Sequence, residues 1–256
     1  MLAASLALSC KPDPVEWSEP APLPPDLAAT ADLAFDAHQN LVVRPPVNIR
    51  VPVFSRQCTS SVRVARDTTG DWYAVWWSVR SDSTADIVVS RSSDGVNWTP
   101  AVKVDSTDAE AVGCRRPAPS LYADGITIHV AYVMAAREGP GIFASHSMDR
   151  GMTFHSPVAV VYGAHIGGTA IAARGDVVAV AYEDPNSDPQ RVAVALTRSM
   201  GHLFESRELV SPPTGAARDP RITLGASRIA VTWSPGVAGM ATDTSAPRMV
   251  RIGTLR

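Results

Sequence analysis

The chain has 256 residues, of which 45% are apolar and 19% charged, and its formal net charge is −2. This length fits one sizeable all-β domain, and the nearly neutral charge gives no electrostatic case for binding nucleic acid or an anionic membrane surface. Since no apolar run is long enough for a membrane-spanning helix, we expect membrane attachment only through a lipid anchor.

The first ten residues are mostly apolar and small, and they end at Cys10. The stretch LALSC resembles a bacterial lipoprotein signal, in which the cysteine is acylated and becomes the mature N-terminus, although no Lys or Arg precedes it as a secretory n-region requires. The alternative is an apolar tail with a stray cysteine. The resemblance implies a signal segment over residues 1–10, lipidation at Cys10 and export to the cell envelope.

Residues 11–31 contain six prolines, which predicts an extended tether before a single domain over residues 32–256. Two further cysteines, Cys58 and Cys114, precede the first strands of consecutive repeats. Equivalent positions in neighbouring repeats can lie close together, and export would permit a disulfide. The alternative is a pair of buried free thiols.

Two ladders of glycines mark a repeat of about 50 residues, a length typical of propeller blades. The first comprises Gly70, Gly125, Gly175 and Gly225, and the second comprises Gly95, Gly151 and Gly201. Runs with an apolar residue at every second position flank the turns, as in ITIHVAYVM at 126–134, and indicate strands. The sequence therefore predicts an all-β fold, a β-propeller of four-stranded antiparallel blades.

The number of blades is predicted as four, with five as an alternative. The last repeat has no fourth strand before Arg256, and residues 45–51 match the fourth-strand pattern, so we expect this N-terminal segment to complete that blade and close the ring. Residues 32–43 are a candidate for a decayed third strand and turn, in which Asn40 takes the place of the turn glycine.

A second motif lies in the turns after the third strands. Residues 147–154 (SMDRGMTF) complete the pattern S-x-D-x-G-x-T-[W/F], residues 92–98 are one residue shorter, and residues 197–204 carry Ser199 in place of the aspartate. We expect the aspartates to accept backbone N–H groups rather than to act as catalysts, the glycines to adopt positive φ, and the rings to pack into the blade. The structural residues of these turns are Ser92, Asp94, Gly95, Trp98, Ser147, Asp149, Gly151, Phe154, Gly201 and Phe204.

These turns resemble those of the Asp-box (BNR repeat) propellers, the superfamily that includes sialidases, and the resemblance covers residues 45–256. Residues 80–95 are similar to the first full blade of sialidases, in which an arginine and an acid/base aspartate occupy the loop. The resemblance implies Arg80 as that arginine and Asp82 or Asp86 as the acid/base.

Loops after the second and fourth strands share the face opposite the Asp-box turns, where we expect function. Five arginines at loop–strand junctions on that face are candidates for binding a carboxylate: Arg80, Arg115, Arg116, Arg218 and Arg221. Sialidases use three such arginines. The alternative is structural ion pairing, as between Arg218 and Asp219.

Two departures from sialidases favour binding over catalysis. The family's first motif arginine is missing, since its position falls at Ser60 or Ser61. The required tyrosine–glutamate pair is also missing, because Tyr182 and Glu183 are adjacent on a strand and point to opposite faces. We predict an exported module that binds a glycan or a surface protein, with a sialidase-related glycoside hydrolase acting on acidic sugars as the alternative.

The histidines show no sequence spacing typical of metal ligands, and no glycine-rich loop is typical of phosphate binding. They are His38, His129, His146, His155, His165 and His202. Only His165 falls in a loop on the proposed functional face. We therefore expect neither a metal nor a cofactor.

Overall fold

The computed structural model describes residues 13–28, 32–44, 49, 53–164, 167–236 and 246–256. Its N-terminal elements are short: β1 (Val15–Trp17), β2 (Ala21–Pro22), α1 (Pro25–Ala28), β3 (Leu33–Phe35), β4 (Leu41–Val43) and a 3-10 turn (Thr59–Ser61). The strands β3 and β4 pair as a separate hairpin. No helix within the described ranges is long and apolar enough to cross a membrane.

Four antiparallel sheets follow, here numbered I to IV. Sheet I contains β5 (Arg63–Arg66), β6 (Trp72–Val79), β7 (Ala85–Ser92) and β8 (Val102–Asp105). Sheet II contains β9 (Ser120–Asp124), β10 (Thr127–Ala136), β11 (Gly139–Ser147) and β12 (Val158–Tyr162). Sheet III contains β13 (Thr169–Arg174), β14 (Val177–Asp184), β15 (Arg191–Thr197) and β16 (Ser206–Leu209). Sheet IV contains β17 (Ala216–Leu224), β18 (Arg228–Gly236) and β19 (Met249–Leu255).

Sheet IV is completed by the N-terminal end of the described chain. Strand β1 pairs antiparallel with β19, with Val15 opposite Leu255, and β2 pairs with the beginning of β19. The prediction that residues 45–51 take this place is wrong, because β1 already occupies the free edge of β19. Part of the expected tether therefore belongs to the sheet; residues 45–48, 50 and 51 lie outside the described residues.

Apolar cores fill the space between neighbouring sheets. One buried cluster joins sheets I and II, a second joins II and III, and a third joins III and IV. The aromatic residues of the second strands lie at the centre of these clusters, and Trp77 meets the ring of Tyr132 edge-on, with 6.3 Å between centroids. Since the first strands β5, β9, β13 and β17 contact one another in that order, the sheets are arranged side by side with their first strands innermost.

The turn glycines serve two different purposes. Gly70, Gly125 and Gly175 have positive φ, which glycine adopts without steric cost. Gly225 is needed for close packing instead, because a Cβ there would lie 2.4 Å from Oε1 of Gln39 and 3.0 Å from the ring of Phe35. The β3–β4 hairpin thus packs on the turn between β17 and β18.

The turns after β7 and β11 have the geometry expected from their motif. Asp149 accepts hydrogen bonds from Ser147 Oγ (2.7 Å), Thr153 N (2.9 Å) and Thr153 Oγ1 (2.6 Å), and Gly151 has a φ of 77°. The bonds from Thr153 and Ser147 lower the pKa of Asp149 to about 2.

In the turn after β7, Asp94 accepts the N–H groups of Val96 and Asn97, both at 2.8 Å, and the bonds from Asn97 and Val96 lower its pKa. In the turn after β15, Ser199 forms a hydrogen bond with Thr197 instead, and Phe204 is buried. We call the end of the molecule that carries these three turns the Asp-box side.

A disulfide joins Cys58 and Cys114, whose Cα atoms are 5.4 Å apart. It links the segment before β5 to the segment before β9, so the first strands of sheets I and II are connected covalently as well as by packing. Of the two alternatives for these cysteines, the structure has the bridge.

Candidate functional site

The innermost strands surround a cavity of about 1060 Å³. Its wall comes from the first strand of each sheet and from the β3–β4 hairpin. Apolar side chains such as Leu33, Leu121 and Ile222 alternate with polar ones such as Tyr122 and Thr169. The cavity is therefore a mixed surface large enough for an organic ligand.

The charged residues of the cavity divide between its two ends. Each first strand runs toward the Asp-box side, so Asp67 at the end of β5 lies there, while Arg63, Asp219 and Arg221 lie toward the opposite end. The hairpin turn packs on Gly225 at the Asp-box side. Arg44, at the other end of the hairpin, also lines the cavity, and its charge acts on Tyr122 of β9.

Arg63 and Arg221 are close enough to influence each other. Arg63 Nη1 donates to the carbonyl oxygens of Ser60 (3.2 Å) and Val62 (2.8 Å), which fixes the guanidinium at the strand end. Desolvation and the charge of Arg221 lower the pKa of Arg63. Two cations from sheets I and IV thus share this end of the cavity.

Asp219 also orients Arg248 at this end of the cavity. Arg248 donates to Asp219 Oδ2 and to Asp219 O, both at 2.6 Å, and to Ser234 Oγ at 2.9 Å. Arg221 is a looser partner, with Nη2 3.7 Å from Asp219 Oδ2. Arg248 carried no sequence signal, because it lies outside the repeat pattern.

Glu183 is a buried carboxylate next to this group. Its Oε1 accepts the N–H of Asp219 at 2.9 Å, and burial raises its pKa. The neighbouring Tyr182 points into the core between sheets II and III, where burial raises its pKa to about 12. As expected from strand geometry, these two side chains do not face one site.

Two of the five arginines predicted to bind a ligand, Arg80 and Arg116, have structural partners instead. Arg80 lies 3.5 Å from Asp86, which Lys103 also contacts at 3.0 Å. Asp82 accepts the N–H and hydroxyl of Thr84 within its own turn, and these bonds lower its pKa. Neither Asp82 nor Asp86 lines the cavity, so the structure gives no support for either as its acid/base.

Arg116 is almost fully buried in an ion pair, with Nη2 2.5 Å from Asp108 Oδ2. It also donates to the carbonyls of Gly113 and Glu110, and its guanidinium lies 5.2 Å from the ring centroid of Trp77. Its exposed neighbour Arg115 does not line the cavity.

Arg218 lies on β17 at an irregularity of register and acts electrostatically on Glu183. Of the five predicted arginines, only Arg221 lines the cavity. The five arginines predicted to bind a carboxylate therefore do not converge on this cavity.

Three histidines without ligand spacing in sequence come together in space. His146, His155 and His202 each place one nitrogen within 4.8 Å of the others, on the Asp-box side. The spacing of the histidines in sequence does not reveal this group, because it is assembled from two neighbouring sheets. His165 lies outside the described residues.

The fold is similar to solved structures that are larger than this chain. A protein of unknown function from Dyadobacter fermentans matches with a TM-score of 0.54 and 14% identity over 75% of this chain and 52% of its own. An alpha-L-arabinanase from Penicillium chrysogenum matches with a TM-score of 0.52 and 19% identity over 75% and 60%. The Hadza microbial sialidase Hz136 matches with a TM-score of 0.52 and 16% identity over 77% and 46%.

These likenesses show a propeller-type fold, as predicted, and the chain spans about half the length of the proteins it matches. No family model matches the sequence. A search of curated proteins found no match either.

Proposed function

We propose that this protein binds a carboxylated glycan at the end of the central cavity opposite the Asp-box side. The observation that carries the proposal is the presence of Arg44, Arg63 and Arg221, from three different elements, around one cavity. Guanidinium groups bind carboxylates through paired hydrogen bonds. The apolar and hydroxyl-bearing wall offers surface for sugar rings.

The charge balance of the cavity wall supports an anionic ligand. The wall contains four arginines (Arg44, Arg63, Arg66 and Arg221) and three aspartates (Asp32, Asp67 and Asp219), and Arg248 already holds Asp219.

The elements around the cavity also support a more specific proposal about the architecture of the fold. The β3–β4 hairpin contacts β17 and contributes to the cavity wall beside the four sheets. We propose that it is a reduced fifth blade, that β1 closes the ring through sheet IV, and that the chain is a divergent Asp-box propeller. The hydrogen-bonded turns at Asp94 and Asp149 support that relationship.

A glycoside hydrolase remains the second candidate because of one observation. The side chain of Glu183 lies next to Gly168 of the cavity wall and accepts the N–H of Asp219, which lines the cavity. Glycoside hydrolysis uses a pair of carboxyl groups. Two of the structural neighbours are an arabinanase and a sialidase.

Isothermal titration with sialyllactose and with uncharged lactose tests the binding proposal. We expect sialyllactose to bind the wild type, and Arg63→Ala and Arg221→Ala each to weaken binding by about tenfold or more, as expected for loss of a charged hydrogen bond. Arg207→Ala, at an exposed arginine of the outer strand β16, is the matched control. Equal affinity for both sugars, or unchanged affinity in both cavity variants, would contradict the proposal.

Turnover separates the two candidates. Fluorogenic sialosides and arabinosides should remain intact with the wild type if the protein only binds. Hydrolysis that Glu183→Gln abolishes, with sialyllactose affinity retained, would instead establish the hydrolase.

We also propose that the protein is exported and lipid-anchored through Cys10, which lies outside the described residues. The disulfide between Cys58 and Cys114 supports an oxidising compartment. Expression in a bacterial host with labelled palmitate should label the wild type and leave Cys10→Ala unlabelled. Absence of label in the wild type would count against the anchor.

A further inference from the structure

Four histidines meet where sheets II and III adjoin on the Asp-box side, far from the arginine end of the cavity. His146 lies on β11 and is paired across the sheet with His129 on β10. His155 follows the Asp-box turn of sheet II, and His202 lies in the corresponding turn of sheet III. The cluster therefore spans sheets II and III, which also share an apolar core.

Three of these side chains have a geometry suited to sharing one ion. The ring centroid of His146 lies 4.3 Å from that of His155 and 4.6 Å from that of His202. The centroids of His155 and His202 are 5.4 Å apart. One nitrogen from each ring lies within 4.8 Å of the others. Nitrogens that bind one tetrahedral zinc ion at 2.0–2.1 Å are separated by about 3.3 Å.

The three nitrogens can approach to the separation found around zinc if only the two exposed histidines move. His155 and His202 are exposed, whereas His146 is held in the sheet with 2% of its surface accessible. The ring of His155 stacks on that of His146 with an interplanar angle of 13°. Binding an ion therefore requires His155 to turn about its side-chain torsions, which an exposed side chain does at little cost.

His146 provides the second, independent observation. Its Nε2 atom is buried and has no hydrogen-bond partner among the described residues. A buried polar atom without a partner is costly, and such atoms in native structures commonly bind a water or an ion. A neutral imidazole has one unprotonated ring nitrogen, through which histidine commonly binds metal ions.

We infer that His146, His155 and His202 form a binding site for a first-row divalent transition-metal ion such as Zn²⁺. Three neutral imidazoles and no carboxylate favour Zn²⁺, Cu²⁺ or Ni²⁺ over Ca²⁺ and Mg²⁺, which prefer oxygen ligands. Three protein ligands leave a fourth position for water. The ion would connect sheets II and III at the surface.

Titration of the full chain with Zn²⁺ and, separately, with Ca²⁺ tests the site. We expect one Zn²⁺ per chain and no measurable Ca²⁺ binding. Changing residues that merely support metal ligands weakens binding 10- to 100-fold, so His155→Gln and His202→Gln should each weaken Zn²⁺ binding by at least about tenfold. Both positions are exposed, so the variants should fold, and His38→Gln in the exposed β3–β4 turn is the matched control.

Thermal melting gives a second readout. Zn²⁺ should raise the melting temperature of the wild type, since an ion that binds only the folded state stabilises it, and should leave that of the His155→Gln/His202→Gln double variant unchanged. No stoichiometric Zn²⁺ binding to the wild type, or equal binding to the double variant, would overturn the inference. Arg63→Ala should retain Zn²⁺ binding, so the outcome is independent of glycan binding.

Discussion

At the scale of single residues, Arg116 is a structural residue rather than a ligand-binding one. Its side chain is 5% exposed and that of its partner Asp108 is 0% exposed. Breaking a buried ion pair leaves the remaining charge uncompensated, so Arg116→Ala should lower the free energy of unfolding by about 3–5 kcal/mol. Urea denaturation measures this loss.

The adjacent Arg115 is the control for that variant, because it is exposed. Arg115→Ala should change the free energy of unfolding by no more than about 0.5 kcal/mol. If Arg116→Ala kept full stability but lost affinity for a carboxylated sugar, the ligand-binding role predicted from sequence would be correct after all.

Asp149 makes a contribution to the stability of the fold that depends on pH in a direction set by its lowered pKa. Its pKa is lowered to about 2 in the fold, against about 3.9 for an unfolded aspartate. The carboxylate therefore stabilises the fold above about pH 4, and that contribution is lost as the pH falls toward 2. Unfolding experiments should find Asp149→Asn less stable than the wild type at pH 6. The difference in the free energy of unfolding should become smaller below pH 4, and a difference that stays constant down to pH 2 would contradict this prediction.

At the scale of elements, the position of the β3–β4 hairpin depends on its close contact with Gly225. Because the space at Gly225 is filled by Gln39 and Phe35, Gly225→Val should displace the hairpin and speed amide hydrogen exchange over Leu41–Val43. Gly125 is the matched turn position in sheet II, with a φ of 59° and no atom within 4 Å of a Cβ. Asparagine tolerates this conformation, so Gly125→Asn should leave the hairpin's exchange unchanged.

The elements that the sequence predicts well are those specified locally. Alternating apolar residues and turn glycines identify the strands of sheets I to III, and the Asp-box motif identifies the hydrogen bonds of Asp149. Pairings between distant segments leave no such local pattern. The strand β1 consists of three residues in a proline-rich stretch, and its sequence does not indicate that β19 is its partner.

The candidate site is harder to predict for the same reason. Arginines at loop–strand junctions look alike in sequence, yet Arg116 meets the buried Asp108 whereas Arg221 reaches the cavity. Which role each takes depends on whether a carboxylate is packed nearby. The histidine cluster likewise combines residues from two sheets whose proximity only the fold creates.

At the scale of the whole molecule, the N-terminal strand holds sheet IV and fastens it to sheet III. Val15 is buried in the core between these sheets, Trp17 Nε1 donates to Glu208 on β16, and Glu16 pairs with Arg256 at 2.8 Å. Without β1, the edge of β19 would present unpaired backbone groups, which favour pairing with other chains.

Deleting residues 1–22 should therefore both destabilise the protein and promote its self-association. Loss of the Val15 contact alone is worth about 1.5–3 kcal/mol, measured by urea denaturation, and size-exclusion chromatography should detect larger species. Deleting residues 1–12 is the control and should leave both readouts unchanged. A peptide of residues 13–22 added in trans should restore the monomer by strand addition; a monomeric, fully stable 1–22 deletion would show that β1 does not close the fold.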